Sequence, residues 1–149
     1  MIRAYRLCSS RYAAHDGSGA AIRGGRWNPI GSEVVYASDS RALAALEILV
    51  NYAILPRDFA LTELAIPSGL VRTVSSNDLS AGWDAERPIN ETVAIGSQWL
   101  TESDCAVLAV PSAVIPAEVN YVINARHPDF ASIRFSLPTP FRFDSRLNV

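Results

Sequence analysis

Lysine is absent from this sequence: all 13 of its basic residues are arginine. That excludes Schiff-base chemistry on a lysine and lysine-dependent phosphate loops. Cysteine is limited to Cys8 and Cys105, and histidine to His15 and His127. Neither their number nor their spacing suits a zinc site or a disulfide framework. No metal is expected, and both thiols read as small buried hydrophobes. No apolar run approaches the length of a bilayer-crossing helix. The opening MIRAYRLCSS lacks the apolar stretch of a secretory signal, which makes the cytoplasm the expected compartment. With a net charge of −2 and no basic run, the electrostatic footprint of a nucleic-acid binder is missing too.

What is present describes one domain, residues 1–149, at 49% hydrophobic and 19% charged, enough to bury a proper core. The alternation in IRAYRLC (2–8) predicts a first strand. Residues 9–33 are glycine-rich and read as a long loop, a length that usually signals function in a compact domain. VVYAS (34–38) reads as a short strand, after which Asp39 or Ser40 can cap a helix from about Arg41 to Leu55, stopped by Pro56. FALTELAI (59–66) and LVRTV (70–74) read as strands, 75–90 as a loop and 91–101 as a helix. The continuously apolar CAVLAV (105–110) predicts a central strand buried on both faces. From Ile133 to Phe143 every second residue is apolar or Thr, through two prolines, which fits a strand or hairpin at a sheet edge. The sum is a strand-rich α+β domain.

Two features ask for a function. GGRWNP (24–29) sets two glycines, which permit unusual backbone paths, before a guanidinium, an indole and an amide. The helix at 41–55 is apolar nearly all round and reads as buried, yet carries Glu47, its one charge between Ala42 and Pro56. A carboxylate there must be paired, protonated or facing a cavity. An ion pair with one of the arginines and a catalytic carboxylate at a cleft floor both satisfy that requirement. Other motifs carry less. GSGAAI (17–22) has Ile22 where the dinucleotide fingerprint needs glycine, and no strand before it. Ser112 lacks the G-x-S-x-G elbow but follows a buried strand, where its hydroxyl sits at a sheet end. Trp27, Trp83 and Trp99 serve a core as well as a site, and NARHPDF (124–130) serves a polar loop as well as a binding loop.

Taken in order, Arg26 in GGRWNP, Tyr36 in VVYAS, Glu47 in ALEIL and Ser112 in VPSAV resemble the RES-domain family, the toxin half of RES–Xre toxin–antitoxin modules, named for an arginine, a glutamate and a serine. NYVINARHPDF resembles the family's asparagine–histidine segment, with Asn124 and His127 at the matching places, and AYR with Arg6 also fits. The resemblance runs from Ala4 to about Phe143. It implies a fold like the ADP-ribosyltransferase toxins, with a split, mostly antiparallel β-sheet core and a few helices. It further implies activity on NAD⁺ by hydrolysis or phosphorolysis, or ADP-ribosylation of a protein. NAD⁺ is then substrate and no cofactor is expected. The implied partners are an Xre-like helix-turn-helix antitoxin and a second toxin copy within a larger complex.

On that resemblance Arg26, Tyr36 and Glu47 are the candidate catalytic residues. Arg26, Trp27, Tyr36, Ser112, Asn124 and His127 are the candidate substrate contacts. Breaking the nicotinamide–ribose bond develops positive charge on the ribose, and a preorganised carboxylate such as Glu47 stabilises it. The Arg26 fork suits phosphate oxygens, Tyr36 suits the nicotinamide ring, and Ser112 suits ribose or phosphate. Arg26 can also pair with Glu47 until substrate enters. The competing reading, a non-catalytic nucleotide- or partner-binding module, has the intact arginine, tyrosine, glutamate and serine against it.

Overall fold

A computed structural model describes residues 1–148. The chain runs β1 (Ile2–Ser9), α1 (Ser18–Arg23), β2 (Val34–Ser38), α2 (Arg41–Leu49), β3 (Phe59–Ile66), β4 (Val71–Thr73), α3 (Asn90–Glu102), β5 (Val107–Pro111), β6 (Val119–Asn124), β7 (Arg134–Phe135) and β8 (Thr139–Phe141), with short 3-10 turns between. The strands form one sheet in the order β4-β5-β6-β2-β1-β3-β7, and β8 also pairs with β3. All pairings are antiparallel except β4 with β5. The fold is thus the mixed α+β arrangement with a mostly antiparallel sheet that the resemblance implied.

The sheet is joined unevenly. β1 and β3 stay in register from Ile2↔Ile66 to Ser9↔Phe59, and β2 follows β6 from Val34↔Asn124 to Ser38↔Asn120. Between β1 and β2 the register is a single pair, Tyr5↔Ser38. Two half-sheets therefore part beyond that pair, and the split lies at β1/β2. Strand side chains alternate faces, so Tyr5 and Leu7 share a face with Ser38 and Tyr36. On that face two separate clusters form. Leu7, Ala44, Phe59 and Phe143 pack under α2, whereas Trp27, Val34, Trp83, Trp99, Leu108, Val110 and Val122 pack under α3. The opposite face buries Ala4, Val35, Leu64, Ile66, Val107 and Ile123. β5 is buried at every position, as its unbroken apolar run predicts.

Four expectations need correction. The segment 9–33 is not all loop, since α1 lies within it. β6 was not anticipated, because Asn120 and Asn124 interrupt its alternation. α2 ends at Leu49 instead of Leu55: the Asn51 side-chain amide donates to the Glu47 carbonyl at 3.0 Å, and the Asn51 N–H turns to the Ile48 carbonyl at 3.1 Å. The chain thus closes in a tight turn six residues before Pro56 could stop it. Nor is α2 buried all round: Leu46 is 37% and Val50 60% exposed, as are Tyr52 and Ile54 beyond it.

α3 lies directly on backbone. A Cβ built at Gly96, inside the helix, would stand 1.6 Å from the Trp27 carbonyl oxygen. Helix propensity alone would favour alanine there by about 1 kcal/mol; the contact forbids it. Gly96→Ala should therefore cost about 2 kcal/mol or more and lower Tm by about 5 °C or more. A thermal melt with Tm unchanged or raised would contradict this packing.

Candidate active site

The GGRWNP stretch folds into a two-residue turn, with Gly25 and Asn28 exchanging main-chain hydrogen bonds at 3.0 and 3.4 Å. Asn28 is 1% exposed, and both the amide nitrogen and the amide oxygen are engaged. Nδ2 donates to the Ala20 and Pro29 carbonyls, both at 3.0 Å, and Oδ1 accepts from the Tyr36 hydroxyl at 2.7 Å. The Tyr36 oxygen in turn accepts the Trp27 N–H at 3.2 Å. A Cβ on Gly25 would lie 2.6 Å from Asn28 Oδ1 and 2.7 Å from the Tyr36 hydroxyl, so this glycine makes room for the hydrogen bond that fixes the turn. Trp27 itself is buried against Trp83, ring centroids 6.5 Å apart, and is core instead of a surface for ligand.

Glu47, half-buried on α2, is not held by an arginine. Its Oε1 accepts from the Ser112 hydroxyl and from Asn120 Nδ2, each at 2.6 Å. Oε2 has no hydrogen-bond partner among the described residues. Ser112 stands where β5 ends and is fully buried. Its oxygen also accepts the Val114 and Ile115 N–H groups at 3.1 and 3.0 Å. A hydroxyl with one proton and two lone pairs is then complete, so Ser112 serves Glu47 and is not free for a ligand.

Arg26 does not pair with Glu47. NH1 donates to the Trp83 carbonyl at 2.8 Å and NH2 to that of Ala85 at 2.7 Å, which ties the loop before α3 to the turn. Burial lowers its pKa, and the charges of Glu47 and Asp84 partly restore it. Arg6 reaches across the parting of β1 and β2, its NH1 donating to the Tyr36 carbonyl at 3.0 Å, while its buried Nε has no partner among the described residues. Burial lowers the Arg6 pKa as well, offset by Cys8 and Asp16.

Asn124 and His127 lie elsewhere. Asn124 is at the opposite end of β6 from Asn120, its Oδ1 accepting the Arg126 N–H at 3.0 Å. His127 Nδ1 accepts the Asp129 N–H at 3.0 Å, which leaves the Nε2 proton for the Ser103 carbonyl, also at 3.0 Å. Asn124 holds the turn that follows β6, and His127 ties that turn to the C-terminal end of α3. The structure therefore gathers Glu47 and Ser112 in contact, joins Tyr36 to the turn that carries Arg26, and leaves Asn124 and His127 apart. Asn28 and Asn120 are the site residues that the sequence reading did not single out. Asn28 was visible in GGRWNP, whereas Asn120 had no local signal.

The RES domain profile matches residues 3–144. The chain belongs to the RES domain family. Among relatives of this RES domain, the Prs ADP-ribosylating toxin of Sphingobium sp. is 39% identical over 143 residues, 91% of this chain and 89% of that protein. Toxin Res of Photorhabdus laumondii is 39% identical over 148 residues, 96% and 95% of the two chains. Toxin Res of Pseudomonas putida is 38% identical over 141 residues, 93% and 95%. A chain of the M. tuberculosis MbcT–MbcA toxin–antitoxin complex shares the fold, with a TM-score of 0.76 at 17% identity over 93% of this RES domain and 83% of that chain.

Burial raises the pKa of the Tyr36 phenol, against smaller opposing effects of the Trp27 N–H and the Arg26 charge. Below about pH 10, where an unfolded tyrosine ionises, this contribution to stability is complete. Above it the unfolded chain loses a proton that the folded chain keeps, so stability falls. Tyr36→Phe should lose that alkaline slope and cost about 1–3 kcal/mol at neutral pH by stranding Asn28 Oδ1 and the Trp27 N–H. Urea titrations at pH 8 and pH 10.5 check both; an unchanged slope would refute the assignment.

Proposed function

We propose that this RES domain is a toxin that consumes NAD⁺ by breaking the bond between nicotinamide and its ribose. The observation that carries the reading is Glu47: one carboxylate oxygen is anchored by two neutral donors, and the other has no hydrogen-bond partner among the described residues. Departure of nicotinamide takes the C1′–N bonding pair with it and leaves positive charge on the ribose. A fixed carboxylate oxygen stabilises that charge where it develops. Water or phosphate then supplies the electron pair for the new C1′–O bond and gives up its proton to solvent.

Other residues support binding. Tyr36 is fixed through its hydroxyl, and its ring can pack against the nicotinamide. The guanidinium groups of Arg26 and Arg6 supply positive potential for the pyrophosphate. No resident metal or cofactor enters the proposal. The 39%-identical Prs ADP-ribosylating toxin favours a second reading in which the acceptor is a protein side chain. The solved toxin–antitoxin neighbour and the exposed Leu46 and Val50 flanking Glu47 support a covering partner, taken to be an Xre-like antitoxin. A toxin homodimer inside that complex remains part of the proposal.

Purified protein given NAD⁺, with and without inorganic phosphate, tests the reading. Nicotinamide with ADP-ribose in both tubes identifies hydrolysis, and a phosphorylated ADP-ribose only with phosphate identifies phosphorolysis. Transfer of label from NAD⁺ to protein, without free ADP-ribose, identifies the second reading. Glu47→Gln should lose about 10²–10³-fold in rate with an unchanged circular dichroism spectrum. A fully active variant would sink the mechanism.

A further inference from the structure

Asn120 has no role in the reading so far beyond touching Glu47, yet its place in the sheet is specific. It stands opposite Ser38 in the β2–β6 register, and Ser38 is the residue that meets Tyr5 at the one β1–β2 pair. The Ser38 hydroxyl, in a side chain 3% exposed, donates to Asn120 Oδ1 at 2.7 Å. Asn120 Nδ2 donates to Glu47 Oε1 at 2.6 Å. The amide has one permissible orientation. A carboxylate only accepts hydrogen bonds, so the group facing Glu47 must be the NH₂, and Oδ1 must then take the Ser38 proton.

A donor on each side of Oε1, Ser112 from the end of β5 and Asn120 from β6, fixes the carboxylate against rotation. Either alone would leave it free to swing about the remaining bond. Both donors are neutral, so they satisfy the oxygen without cancelling its charge as a guanidinium would.

We infer that Ser38 and Asn120 form a positioning pair for Glu47: Ser38 sets the Asn120 amide, and Asn120 sets the direction in which Oε2 meets the ribose. This rests on the reading that Glu47 acts on NAD⁺. Neither residue touches substrate. The pair ties the carboxylate to the seam where the two half-sheets join.

The test compares initial NAD⁺ consumption rates of wild type, Ser38→Ala, Asn120→Ala, Asn120→Asp and the double variant Ser38→Ala/Asn120→Ala. Folding of each is checked by circular dichroism and thermal unfolding. Asn120→Ala should lower kcat about 10- to 100-fold, the scale of a misplaced reacting group, with KM within about twofold. Ser38→Ala should lose less. The double variant should be no slower than Asn120→Ala, because Ser38 acts only through Asn120. The isosteric Asn120→Asp keeps the shape and removes the donor, so it should lose at least as much as Asn120→Ala and decides the matter if the alanine variant does not fold. Multiplying losses in the double variant, a change in KM alone, or full activity of Asn120→Asp would overturn the pair while leaving NAD⁺ cleavage standing. A wild type that turns over no NAD⁺ would overturn that reading and the pair with it.

Discussion

Two neutral donors on one oxygen of Glu47 are the contact on which the candidate site depends. A half-buried carboxylate gains from partners, and an arginine would bond it most strongly. Among the described residues no arginine bonds Glu47: Arg3 and Arg41 meet Glu63, Arg72 meets Glu102 and Asp104, Arg126 meets Glu33, and Arg26 meets main-chain carbonyls. Ser112 and Asn120 provide hydrogen bonds without an opposing charge. The group is oriented while its field stays available to a cation forming next to it.

The fold supplies this arrangement by parting a sheet. α2 and α3 cover separate clusters on one face, and β1 and β2 touch at one register pair between them. Where ladder bonds between β1 and β2 stop, the Arg6 side chain takes the Tyr36 carbonyl. Beside that seam Ser38 bonds its cross-strand partner Asn120 within the β2–β6 ladder. On the α3 side the GGRWNP turn is an architectural joint: Asn28 bonds back to α1 and forward to Tyr36, Gly96 lets α3 rest on the Trp27 carbonyl, and Arg26 holds the 83–85 loop. The phosphate-seeking look of this stretch in sequence conceals how much of it holds the protein together.

Periodicity made most elements legible before any coordinates. The alternation of β1 and β3 and the apolar run of β5 appear where they were expected, because burial on one or both faces leaves a local imprint. α2 was over-extended since Val50–Leu55 continues its apolar character, and nothing local reveals that the Asn51 side chain will take a helix carbonyl. The identity of Glu47 as the anomalous residue was legible from its neighbours alone. The nature of its partners was not: Asn120 is 73 residues away and meets Glu47 only through strand register. His127 and Asn124 show the reverse limit, matching a family segment by position while their polar atoms close a turn at the far end of β6.

The most direct measurement is a crystal structure of the protein with ADP-ribose bound. The account predicts the ribose in the parting between the half-sheets, with a hydroxyl within hydrogen-bond distance of Glu47 Oε2 and with Oε1 still bonded to Ser112 and Asn120. ADP-ribose bound away from Glu47, or a ribose that displaces Ser112 and Asn120 from Oε1, would contradict it.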